Sequence, residues 1–165
     1  AGAGGRAATS RAPDVARLYR GAYQEGWRPV PGALDFVSAL GRAGLPLLIV
    51  TNNGVEEQTR KLEFCALFDR IHTLVTSEEV GEPKPGARIF QVALERVGVE
   101  AEAAVMLGDS WLSDVLGARE AGIRPVWFNR TAEPAPDASV AVIRSFEPAD
   151  AALARVLWRQ EPGAA

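Results

Sequence analysis

The chain has 165 residues, 47% of them hydrophobic and 24% charged, with 18 Lys and Arg against 21 Asp and Glu for a net charge of -3. That length suits one domain with a sizeable core better than two, and the charge balance lacks the basic excess a nucleic-acid partner would require. The single cysteine, Cys65, excludes an internal disulfide framework and fits a reducing compartment.

The first residues, AGAGGRAATSRA, are small, polar and glycine-rich, so 1–12 is expected to be a flexible tail. No charged-then-apolar signal pattern opens the chain, and no stretch nears the roughly 20 apolar residues of a membrane span. A cytoplasmic protein with no membrane partner is the expectation. Val15, Leu18, Tyr19, Ala22 and Tyr23 recur at helical spacing behind Pro13 and predict a helix ending near Gly26. WRPVPG is a connector, since two close prolines cannot continue a helix. Pro31 opens a second helix with Leu34, Phe36, Val37 and Leu40 as its apolar stripe and Gly44 as its cap.

From there strands and helices alternate. LPLLIV (Leu45 to Val50) reads as a strand buried on both faces. A helix follows from Val55 to Phe64, where Cys65 falls at apolar helical spacing as a buried, inert thiol. A second strand runs from about Ile71 to Thr76, with His72 as a strand-end residue rather than a catalytic base. Then come a helix from Ala87 to Val97, a strand from Ala103 to Gly108, a helix from Trp111 to Ala121 closed by Gly122, and a strand from Pro125 to Asn129. A weak strand, Val140 to Ile143, precedes a last helix from Pro148 to Gln160 that Ser145 is placed to cap. The implied fold is α/β: a doubly wound, Rossmann-like, mostly parallel sheet flanked by helices.

Ligands in such sheets bind beyond the carboxyl ends of the strands, so the residues following each strand are the candidates. After the first strand, Thr51, Asn52, Asn53 and Gly54 lead into a helix N-terminus whose N–H groups and dipole favour an anion such as phosphate. Alone, TNNG also describes an ordinary turn. After the second strand, Lys84 stands between Pro83 and Pro85, which stiffen the backbone it departs from, although a solvated surface lysine has the same sequence. After the third, Asp109 and Asp114 offer hard oxygen ligands suited to Mg²⁺, or else a loop acid and a charge on a first helical turn. Together a phosphate seat, a fixed cation and metal carboxylates make a constellation for phosphoryl transfer.

IVTNNG, FDRIHTLVTSEEVGEPKPGARIF and VMLGDSWLSDVLGAREAGIRPVWFNR, in that order, resemble the second, third and fourth motifs of the haloacid dehalogenase-like (HAD) hydrolases, specifically the branch with nucleotidases and sugar-phosphate phosphatases. The resemblance covers roughly Pro31 to Asn129. It implies a Mg²⁺-dependent phosphomonoester hydrolase acting on a small phosphorylated metabolite. Thr51, with the backbone at Asn52, would bond the transferring phosphoryl group. Lys84 would neutralise its charge, and Asp109 would bind Mg²⁺ with Asp114 behind it. Dehalogenating members lack a metal and usually this acidic pair, which favours phosphate chemistry.

The family's first motif, an Asp-x-Asp that supplies nucleophile and acid/base, has no counterpart here. Before Thr51 the only aspartates are Asp14 and Asp35. By the resemblance 13–30 is a remnant of cap helix and connector and 31–165 an incomplete core lacking its leading central strand, so little or no turnover is expected. The exposed edges left by that strand are expected to pair with each other or to be covered by another chain, as in a homo-oligomer. The alternative is a noncatalytic phosphate-binding or protein-interaction domain.

Overall fold

The computed structural model describes residues 27–158. The expected tail, the helix from Pro13 to Gly26 and the last residues of the final helix lie outside them. In chain order the elements are α1 (Ala33–Arg42), β1 (Leu48–Thr51), α2 (Val55–Phe64), β2 (Thr73–Thr76), α3 (Ser77–Val80), α4 (Ala87–Val97) and β3 (Val105–Gly108). A π-helical turn (Trp111–Leu116) then runs into α5 (Gly117–Glu120), followed by β4 (Arg124–Phe128), β5 (Ala141–Ile143) and α6 (Ala149–Leu157). No helix among the described residues is long and apolar enough to cross a membrane.

Every strand pairing is parallel, with Leu48 opposite Thr73, Val105 opposite Arg124 and Val126 opposite Ala141. The strands form two sheets, β1–β2 and β3–β4–β5. Direct pairing of β1 with β3, one of the two expected ways of closing the sheet, is therefore not what the structure adopts. The core draws on both sheets. On one face Val75, Ile89, Phe90, Ala93, Ala118 and Ile123 form a cluster that also takes in Leu48 and Val50 from one sheet and Met106 from the other. On the opposite face Leu47, Val105 and Leu107 pack on a cluster of Phe36, Leu40, Val126, Phe128, Ile143, Ala152 and Val156. Each large side chain so buried contributes about 1.5–3 kcal/mol. Side chains hold the halves in one layer where backbone hydrogen bonds do not. All eight residues of β1 and β3 are consequently only half-buried, whereas Val75 and Val126 in the neighbouring strands are fully buried.

Local chemistry sets the element ends. At the end of α1, Gly44 takes φ +70°, and the Leu45 N–H reaches back to the Leu40 carbonyl at 3.2 Å. Leu40 and Leu45 then share a hydrophobic cluster, the usual companion of this left-handed stop. Leu45 is thus part of the helix cap and Pro46 has no N–H to give a ladder, so β1 begins at Leu48, later than its apolar run. His72 sits just before β2. Its Nδ1 accepts from the Leu47 N–H at 2.9 Å, and its own N–H donates to the Leu47 carbonyl at 2.7 Å. Arg96 covers the far side of β2, donating to the Leu74 carbonyl at 2.7 Å and pairing with Glu79 at 2.6 Å. The short α3 was not foreseen; Thr76 caps it by accepting from the Glu79 N–H at 3.2 Å. Ser145 does not cap α6, because its hydroxyl accepts from the Glu147 N–H, one turn too early.

Cys65 is buried, and burial pushes its thiol pKa up against the smaller opposing pull of Lys61. A raised pKa leaves less thiolate at neutral pH. Alkylation by iodoacetamide at pH 7.5 should be at least about tenfold slower in the native protein than after denaturation; equal rates would contradict this burial.

Candidate active site

The tips of β1 and β3 and the loop after α3 converge on one lysine. Lys84 Nζ donates to the Val50 carbonyl at 2.7 Å and to Asp114 Oδ1 at 2.6 Å. The two charged side chains are only 10% and 7% exposed, so the ion pair is shielded from water. The other Asp114 oxygen, Oδ2, accepts from the Ser110 N–H at 3.0 Å. Both carboxylate oxygens are thereby engaged, which leaves Asp114 behind the strand tip.

Two glycines make room for this arrangement. A Cβ on Gly108 would lie 2.3 Å from Asp114 Oδ2, and one on Gly117 would lie 2.9 Å from the Pro85 Cα and from the Phe90 ring. The run GDSWLSDVLGA therefore needs its first glycine beneath the carboxylate and its second where α5 meets the lysine loop. The expected single α-helix from Trp111 to Ala121 is a π turn followed by α5. The Ser110 carbonyl receives both the Asp114 N–H at 2.9 Å and the Val115 N–H at 3.2 Å, and its hydroxyl caps the Ser113 N–H at 3.1 Å.

Thr51 closes β1. Its hydroxyl oxygen accepts from the Asn53 N–H at 3.3 Å, and its own O–H has no acceptor among the described residues. Asn53 is tied in turn to buried Gln58 at 3.1 Å. The Asn52 side chain faces the lysine loop: Nδ2 donates to the Lys84 carbonyl at 2.9 Å and Oδ1 accepts from the Lys84 N–H at 2.7 Å. At the N-terminus of α2, the Val55 N–H is already taken by Glu78 Oε2 at 2.7 Å. One part of the anion seat expected there thus holds an internal carboxylate.

Asp109 is exposed, and its carboxylate makes no hydrogen bond or ion pair with a described residue. Its carbonyl accepts from Trp127 Nε1 at 3.0 Å, and Trp111 packs edge-on against Trp127 with centroids 5.1 Å apart. Among the described residues no group of three His, Cys, Asp or Glu could hold a metal ion. The donor chemistry fits one hard-oxygen ligand from Asp109, steadied through its backbone. A cavity of about 530 Å³ lies elsewhere, lined by Val55, Phe68, His72, Leu74 and Arg96 among others. Of the sequence candidates, Asp114 and Asn52 each bond Lys84, Thr51 adjoins Val50, and Asp109 makes no side-chain hydrogen bond or ion pair with these residues. Sequence reasoning missed the Asn52 carboxamide, Glu78 and Trp127. Only Trp127 left a trace, as one of two aromatic residues at the end of its strand.

The glycine contacts give a paired stability test. Gly117→Ala should destabilise by about 1–3 kcal/mol through overpacking, lowering the thermal midpoint by about 2–4 °C per kcal/mol. Gly41, on α1, has nothing within 4 Å of an added Cβ, and Gly41→Ala should raise the midpoint by up to about 1 kcal/mol equivalent. Equal effects in a thermal melt would refute the close approach at Pro85.

Residues 3–122 match the haloacid dehalogenase-like hydrolase family. The chain is 41% identical over 110 residues to phosphoserine phosphatase of Thermus thermophilus, covering 66% of this chain and 44% of that protein. It is 36% identical over 115 residues to ribulose-1,5-bisphosphate 5-phosphatase of Halopiger xanaduensis, covering 70% and 48%. The fold resembles the magnesium-bound HAD-hydrolase YfnB of Bacillus subtilis at a TM-score of 0.73 and 30% identity, covering 86% of this chain and 62% of that one. The chain thus spans about half the length of the curated relatives it matches. It belongs to the haloacid dehalogenase-like hydrolase family.

Proposed function

We propose that this chain forms the core of a cytoplasmic, Mg²⁺-dependent phosphomonoester hydrolase acting on a small phosphorylated metabolite such as a nucleotide or sugar phosphate. The observation that carries the reading is the shielded lysine between two strand tips. An ammonium has three donors, and Lys84 uses two on Val50 and Asp114. The third is left for a phosphoryl oxygen. The Thr51 hydroxyl, already accepting from Asn53, has its proton to donate to the same group, and the Asn52 backbone lies next to it. Such prepaid donors stabilise charge without reorganising when it develops.

Asp109 would hold Mg²⁺, with Asp114 orienting the turn behind it. When bound, that ion neutralises charge on the phosphoryl oxygens. The nucleophile and the general acid/base are not among these residues, since no Asp-x-Asp precedes Thr51. This chain alone is expected to turn over little or nothing. A second reading, a noncatalytic domain that binds phosphate or a protein partner, is supported by the edges of β1 and β3, which have no strand partner among the described residues.

The test is p-nitrophenyl phosphate hydrolysis with Mg²⁺. The chain as given should stay at background. Preceded by an apolar strand that ends in Asp-x-Asp, it should gain turnover, and Asp109→Asn should then cost at least about a hundredfold. Turnover that survives Asp109→Asn would remove the metal role, and none in the extended chain would favour the noncatalytic reading.

A further inference from the structure

Asn52 was expected to serve the phosphoryl group through its backbone, yet its side chain is committed to Lys84. The carboxamide donates to the lysine's carbonyl at 2.9 Å and accepts from its N–H at 2.7 Å, across 32 positions of chain. A carboxamide carries its donor and acceptor side by side on one planar group, as only Asn and Gln do, and Gln is a methylene longer. The partner is equally particular. Pro83 and Pro85 have no N–H, so in Pro83-Lys84-Pro85 the Lys84 N–H is the sole backbone donor, and Asn52 takes it. Lys84 is therefore held at both ends, its peptide by Asn52 and its ammonium by Val50 and Asp114.

We propose that Asn52 is a positioning residue for Lys84. Its carboxamide fixes the lysine's peptide beside the tip of β1, so that the ammonium is confined between Val50 and Asp114 with one N–H in reserve for an anion. Without the clamp the Pro-Lys-Pro backbone loses its tie to the tip of β1, only the ammonium's own bonds to Val50 and Asp114 remain, and the ammonium samples solvent more often. Asn52 is itself exposed, so its replacement leaves the core untouched. The last step, presentation of the ammonium to an anion, rests on the phosphate-site reading above; the clamp does not.

The experiment compares wild type with Asn52→Ala, Asn52→Leu and Asn52→Asp in the full chain, with thermal melts confirming that each folds. Amide exchange at Lys84, followed by NMR, should accelerate by about tenfold or more in the Ala and Leu variants, as loss of roughly 1.4 kcal/mol of protection requires. Asn52→Asp keeps the acceptor and should fall between. Acylation of the Lys84 side chain, which reacts as the neutral amine after losing a proton to solvent and is read by peptide mass mapping, should rise in the same order. Titrated inorganic phosphate should bind about tenfold more weakly to Asn52→Ala than to wild type. Unchanged Lys84 amide exchange in Asn52→Ala overturns the clamp, and so does faster exchange with unchanged acylation. A wild type that binds no phosphate counts against the site reading alone, because exchange and acylation still decide the clamp.

Discussion

A single ammonium joins the two sheets. Lys84 bonds a carbonyl at the tip of β1 in one sheet and a carboxylate that follows β3 in the other. An ion pair this shielded is a poor source of net stability, because desolvation offsets much of its attraction. Removing one partner is another matter: the remaining charge would be buried without a counter-ion, a loss of about 3–5 kcal/mol. Lys84 and Asp114 are better understood as fixing the geometry of the junction than as supplying folding energy, which comes from the apolar clusters on either face.

Those clusters account for the unusual sheet. Alternate side chains of β3 enter opposite cores, Met106 on one face and Val105 and Leu107 on the other. Leu47 and Leu48 do the same at the start of β1. Among the described residues the two strands share both cores and no sheet pairing. The charged groups gather at the carboxyl ends of that same break, where a parallel α/β sheet places its ligands.

Much of this was legible in the sequence, and what was not has physical causes. The bounds of α2 and α4 could be read directly, because a three-to-four-residue apolar rhythm ends in each case at a cap or a left-handed glycine such as Gly98. Strand starts were set too early wherever apolar residues had another task, as Leu45 does in a helix cap. The positions of Thr51, Lys84 and Asp109 after successive strands followed from the order of elements alone. What side chains do across 20 or 30 positions did not. Nothing local to Asn52 announces a partner at Lys84, and nothing local to Glu78 announces Val55. Direct pairing of β1 with β3 was one expectation and is not adopted, because which strands pair depends on packing across the layer that periodicity does not encode.

The π turn has a further consequence. A residue in a helix advances the side-chain direction by about 100°, so one surplus residue in a turn rotates everything after it relative to everything before. With the surplus at Ser110–Val115, Asp114 meets Lys84 while Gly117 and Ala118, a few positions on, lie against Pro85 and the α4 core. Deleting one residue there would put these two contacts out of phase. Spacing in this segment is therefore constrained along with the composition that places Asp114 and Gly117.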